Sequence, residues 1–373
     1  MRLHMRRAAL LFLLAILFAL PAGASASGAG EVLSAQSEAL DLDGLQDAAG
    51  DYLDGVDLQA GVDLDQGIQA ILDTGSAQVF GILRKAVRSA VVLLAIVLLC
   101  SLADGLSASL GEKGGVDAVA VAGALAVTAA AVIDVNALVG LGRQAITGMD
   151  TFSKVLLPTI TAAAAASGAP SGAVARQLAT MLFSDVLITL IDRLLMPLTY
   201  AYVAVSAAYA ALGNEGLKRV GGMLKWVVTS VLTTLVLIFV GYLTVSGVIA
   251  GTADSVTVKA AKFTMSSMVP VVGGILSDAA ETVLAGAGIL KNAVGVFGML
   301  AVLAMCVAPF LQLGIHYLAY KLTAALAATV SGGRVAGLID GIGGAFGLVL
   351  GMTGSCALLL LVSMISAISV VTV

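Results

Sequence analysis

The chain has 373 residues, of which 60% are hydrophobic and only 11% charged, with 43 glycines and a formal net charge of −4, and its mean hydropathy is +1.06. A soluble domain carries roughly 25% charged residues, so the composition excludes an ordinary soluble globular protein and places most of the chain in a bilayer. The acidic excess gathers near the N-terminus and leaves no basic surface for nucleic acid.

Residues 1–26 read as an export signal. Arg2, Arg6 and Arg7 form a basic start, Ala8 to Leu20 an apolar core, and Ala22-Gly23-Ala24 or Ala24-Ser25-Ala26 a small-residue cleavage site. The core is too short to cross a hydrocarbon layer of roughly 30 Å comfortably; an uncleaved signal anchor is the alternative. Residues 27–83 are of another kind. Eleven acidic side chains lie between Glu31 and Leu83 without a Lys or Arg, interleaved with leucines and valines. Gly44, Gly50, Gly55, Gly61 and Gly67 argue against one long helix, since each interior glycine costs about 1 kcal/mol relative to alanine. Short helical pieces with a weak apolar stripe are expected, on the exported side of the membrane. The D-x-D-x-D-G calcium loop is absent, which leaves a solvated acidic surface.

From Arg84 onward, residues 84–373 form a polytopic membrane domain. Uncharged runs cover Ser89 to Ala103, Ala118 to Ile133, Val155 to Ala175, Leu194 to Asn214, Trp226 to Ala253, Phe263 to Ser277, Asn292 to Tyr320 and Gly341 to Val373. A charged but apolar stretch from Leu178 to Arg193 lies among them. Six of these runs read as spans and two or three as short spans, re-entrant or interfacial pieces. The fold class is therefore all-α, a transmembrane helical bundle with an exported N-terminal segment. Arg84, Lys85 and Arg88 crowd the entrance of the first span, against the positive-inside tendency if that entrance is exported.

The proline spacing suggests a tandem repeat. Pro158 and Pro197 stand 39 residues apart, as do Pro270 and Pro309, and the two pairs are offset by 112. Units of 86–197 and 198–309, with a partial third from 310, follow. A proline after an apolar run breaks or kinks a membrane helix, which marks either a pore or binding site or an ordinary packing kink. Between the first pair lie Asp185, Asp192 and Arg193; the positions 112 further on are Phe297, Ala304 and Met305. Asp185 and Asp192, seven residues apart, share a helix face. One reading makes them a proton or cation site, the other residues at an interface or subunit contact. The apolar counterparts in the second unit favour a scaffold over a symmetric transporter.

Gly343, Gly347 and Gly351 form a four-residue ladder on one helix face, the spacing that lets membrane helices approach closely. The partner helix could belong to this chain or to another subunit, so a homo-oligomer is compatible with the pattern. Cys100, Cys306 and Cys356 sit in apolar runs without metal-ligand spacing, and His316 stands alone in a span. Neither a P-loop nor an H-E-x-x-H motif occurs. No enzyme, no cofactor and no metal site is expected.

The order of these parts resembles a known family. An export signal, an acidic exported segment, a polytopic region with Leu156-Leu157-Pro158 followed by Ala166-Ser167-Gly168, and a Gly-rich apolar end with Ser363-Met364-Ile365-Ser366 look like the stage III sporulation protein AE family of endospore-forming bacteria. The resemblance spans nearly the whole chain and rests on layout, since the matching residues are mostly apolar or glycine. It implies a non-enzymatic multi-pass subunit of the channel complex joining mother cell and forespore, needed for forespore development after engulfment. Other membrane proteins of the stage III sporulation complex would be its partners, membrane lipid its surroundings, and the mother-cell-derived membrane around the forespore its location. The family supplies no catalytic residues to carry over. A solute permease or export-apparatus membrane component is the alternative.

Overall fold

The computed structural model describes residues 38, 40–50, 52, 64–109, 118–167, 170–268, 273–331 and 333–369. Nearly all of them are helical, and no strand occurs among them. The export signal and Pro270 lie outside the described residues. In chain order the helices are α1 (Leu42–Ala49), α2 (Leu64–Ser109), α3 (Ala118–Ala166), α4 (Pro170–Leu190), α5 (Met196–Leu212), α6 (Glu215–Met268), α7 (Gly273–Val330) and α8 (Gly333–Ser369), with a π-helical turn at Ile191–Leu195 between α4 and α5. Five helices, α2, α3, α6, α7 and α8, are long and apolar enough to cross a membrane.

The elements differ from the expected runs in length. At 1.5 Å per residue α7 is roughly 87 Å long, far beyond the roughly 30 Å of hydrocarbon. The run Ala118 to Ile133 and the first part of the run Val155 to Ala175, expected as separate spans, belong to the single helix α3, which ends at Ala166, and the remainder from Pro170 opens α4. The polar stretch between them need not loop out, because its side chains find partners: Asp134 accepts from Tyr320, Asp192 from α4's end pairs with Arg143, and Asp150 pairs with Lys154. Likewise α2 starts at Leu64 and runs through Arg84 without a break, where short pieces were expected. Gly67 and Gly75 are the reason. Their missing Cβ atoms leave room for Leu300 and Val307 of α7, so tertiary packing outweighs their low helix propensity.

Cross-contacts fix the arrangement. Ser101 Oγ donates to the Val330 carbonyl at 2.8 Å, and Arg334 lies over Gly213. The C-terminal end of α2, the start of α3, the α5–α6 turn and the facing ends of α7 and α8 therefore share one end of the bundle. Gly213 caps α5 with φ +66°, a left-handed conformation that costs glycine nothing. Toward the other end, Thr180 and Ser363 share a hydrogen bond of 2.6 Å and the buried Lys291 donates to the Ile368 carbonyl at 2.9 Å. There the ammonium meets the C-terminal carbonyls of α8, where a cation is favoured.

The core is the α7–α8 hairpin, with α8 touching α3, α4, α5, α6 and α7. Of the most apolar window of each helix, 56% is buried in α7 and in α8, against 17% in α2 and 22% in α6. The outer helices thus turn their apolar side chains outward, as lipid-facing helices do.

Candidate functional site: a polar waist on α3

Halfway along α3 the apolar pattern gives way to Arg143, Gln144, Thr147, Asp150, Thr151 and Lys154. The hydroxyls along it are satisfied within the helix: Thr147 donates to the Arg143 carbonyl and Thr151 to the Thr147 carbonyl, both at 3.0 Å. Lys154 Nζ reaches Asp150 Oδ2 at 2.7 Å one turn away. Arg143 Nε donates to Asp192 Oδ1 at 3.0 Å across to the π-helical turn.

That turn explains why Asp192 is there. Pro197 has no N–H to give and its ring crowds the carbonyl of Arg193, so a regular ladder cannot continue. The chain widens by one residue instead, and the Met196 N–H bonds the Ile191 carbonyl in an i→i−5 step. Asp192 and Arg193 both sit in this widened turn; Asp192 is half-buried and Arg193 exposed. The two other described prolines within helices leave their helices continuous, Pro158 exposed in α3 and Pro309 buried in α7. Beside Pro158, Thr159 donates to the Val155 carbonyl at 2.9 Å and Thr161 to the Leu157 carbonyl at 2.6 Å. Asp185 is exposed on α4 on the same side, within electrostatic reach of Lys154. The structure thus brings Asp192 to Arg143 and Asp185 toward Lys154, pairings that lie 49 and 31 residues apart in sequence and carry no local signal.

The described helix of the acidic segment, α1, packs against α3 beside this waist. In α1, Leu42, Leu45 and Ala49 are buried against the bundle while Asp41, Asp43 and Asp47 face outward. Asp41 caps the helix from the left-handed region, accepting from the Gly44 N–H at 3.3 Å. Between α1 and α3 is an open groove of about 570 Å³, lined by Tyr52, Arg143, Gln144, Thr147 and Thr151 among others. The Tyr52 hydroxyl lies close over the backbone at Gly148. Such a surface offers hydrogen-bond donors and acceptors at a protein–protein contact or an aqueous boundary; it has no nucleophile–base pair. Among the described residues no three His, Cys, Asp or Glu side chains converge where a metal ion could be held. The three cysteines are free.

The glycine ladder resolves into unequal parts. A Cβ at Gly343 would stand 3.0 Å from Tyr320 Cβ, and one at Gly347 3.1 Å from the Tyr317 ring, so both are contact points of α8 with α7 of the same chain. At Gly351 the nearest atom, Leu232 Cδ1, is 3.9 Å away, in a groove between α6 and α8. His316 is buried at the same α7 face, with Nδ1 2.8 Å from the Gln312 carbonyl and its ring edge-on to Phe346.

Comparison with known proteins gives a consistent answer. A family model described as "Stage III sporulation protein AE" matches residues 57–372. A relative of that name from Bacillus subtilis (strain 168) is 29% identical over 204 residues, which cover 54% of this chain and 51% of the relative. The matched stretch is thus about half of each protein. No solved structure matches the chain.

Proposed function

The chain belongs to the stage III sporulation protein AE family, and from that premise we propose that it is a non-enzymatic subunit of the channel complex joining mother cell and forespore, needed for forespore development after engulfment. The observation that carries this reading is the family match across residues 57–372, which takes in all five candidate membrane-spanning helices among the described residues. Two structural features support it. The most buried helices form a close-packed hairpin, and the polar groups are displaced to the waist of α3, where neighbouring proteins or water can reach them. The apolar counterparts of Asp185 and Asp192, Phe297 and Ala304, leave no second matched site for a symmetric carrier.

In this reading the chain resides in the mother-cell-derived membrane around the forespore. The α1 helix presents its acids to the space between the two membranes, and other membrane proteins of the stage III complex dock on the waist. Deleting the gene in the spore former that carries it tests the proposal. Engulfment should proceed normally and forespore development then fail, with rescue by the intact gene. Normal heat-resistant spores from the deletion strain would overturn it.

A further inference from the structure

The bundle end that carries the α5–α6 and α7–α8 connections concentrates positive charge. Lys218, Arg219 and Lys225 project from the first turns of α6, Arg334 lies across the α5–α6 turn, and Lys321 stands on α7. Lys321 is held by Asp340 at 2.6 Å, and Lys218 approaches Glu215 at 3.7 Å. Arg219 and Lys225 are exposed and make no ion pair among the described residues. The acids described at this end are Asp104, Asp134, Glu215 and Asp340, against the five cations Lys218, Arg219, Lys225, Lys321 and Arg334.

The side chains next along α6 identify what these cations meet. Val220, Met223 and Trp226 are exposed among them, and Leu237, Ile238, Val240 and Val245 are exposed beyond. A basic cluster, then a tryptophan, then an outward-facing apolar stretch is the profile of a helix crossing from headgroups into hydrocarbon. Basic residues at that depth meet phosphate. We propose that Lys218, Arg219 and Lys225, with Arg334 beside them, form a site for the headgroup phosphates of anionic phospholipid, and that this end of the bundle lies at the cytoplasmic leaflet. The chain ahead of α2 then enters from the opposite face. That is the exported side an N-terminal export signal calls for; Arg84, Lys85 and Arg88, midway along α2, precede its apolar run and so stay at the exported face as an exception to the positive-inside tendency. The inference rests on the multi-pass membrane character and not on the sporulation role, so the two fail separately.

Trp226 is the one tryptophan of the chain and is 68% exposed, which makes it a native reporter at the site. The full chain is reconstituted into vesicles holding equal amounts of phosphatidylglycerol and phosphatidylcholine, with bromine on the acyl chains of one lipid or the other. Trp226 emission should be quenched severalfold more by brominated phosphatidylglycerol, since each basic residue near an anionic surface is worth about fivefold in local partition. The variant K218Q/R219Q/K225Q should bring the ratio close to one with helix content unchanged by circular dichroism, and K218R/K225R should keep it. Inorganic phosphate at matched ionic strength should leave the preference intact; its removal by phosphate would mean a soluble anion site and overturn the lipid assignment. Equal quenching by both lipids in the unaltered chain would also overturn it, and would point to an acidic protein partner instead.

Discussion

The α7–α8 hairpin and the waist of α3 are built on opposite terms. In the hairpin, small residues bring two helices together, aromatic rings fill the seam, and Tyr320 rests edge-on against Phe346 with centroids 5.0 Å apart. At the waist, ion pairs are made by side chains that keep much of their solvent exposure, 64% for Arg143 and 34% for Asp192. The first region is specified by shape, where a single methyl group is felt. The second is specified by charge on a water-accessible surface, where an individual pair adds little stability. A substitution of equal size should therefore have very unequal consequences in the two places.

The sharpest break of that contrast is Gly347→Leu. Its new side chain would begin 3.1 Å from the Tyr317 ring, which must move to admit it, and overpacking of this kind costs about 1–3 kcal/mol, occasionally more. Thermal unfolding of the purified protein in detergent should show a larger drop in midpoint for this substitution than for any at the waist. A midpoint within a degree or so of the parent would mean that the hairpin seam is looser than its geometry. Next comes Tyr320→Phe. The ring stays, but Asp134 loses a hydrogen bond of 2.7 Å at a partly buried position. Stranding a carboxylate acceptor there should cost about 1–3 kcal/mol, read in the same unfolding measurement, and Asp134→Asn should recover part of the loss by neutralising the stranded charge.

How much of this was visible in the sequence follows the same divide. The apolar runs and the Gly343–Gly347 spacing announce a helical membrane bundle with close helix contacts, because packing leaves a periodic trace. The fusion of Ala118 to Ala166 into one helix does not show, since Asp134 and Arg143 read as a polar link until their partners on other elements are known. The π-helical turn is half legible. Pro197 signals a disturbed ladder, but whether the chain breaks, kinks or widens depends on neighbours that sequence does not name. The burial of α1 was hinted at by its leucines, while its landing place beside Gly148 of α3 required the fold.

A smaller effect is expected at the waist itself. Asp192→Asn and Asp185→Asn should each change stability by under about 1 kcal/mol, as exposed pairs do, and a strain carrying both should form heat-resistant spores at the parental frequency if these carboxylates do not move protons. Spore formation lost while the protein still accumulates in the membrane would tie the waist carboxylates to a transport step, and the contrast between a structural hairpin and an energetically quiet waist would become one between scaffold and machinery.

The smallest expected effect also has the opposite sign. Gly351 shares the four-residue spacing of Gly343 and Gly347, so a reading of sequence alone would treat all three alike. Yet no heavy atom outside its own turn comes within 3.9 Å of the place its Cβ would occupy. An alanine there meets ordinary van der Waals space in the groove beside Leu232, and it removes the conformational freedom of glycine in the middle of α8. Gly351→Ala should raise stability by up to about 1 kcal/mol, whereas Gly347→Ala, with Tyr317 in the way, should lower it. If Gly351→Ala instead lowers stability in detergent, the α6–α8 groove is narrower in the folded protein than its geometry gives. If it is neutral in detergent but impairs spore formation, the open glycine face is occupied in the cell by another helix. The pair of alanine variants thus separates a glycine kept for contact within this chain from one whose neighbour, if it has one, lies outside it.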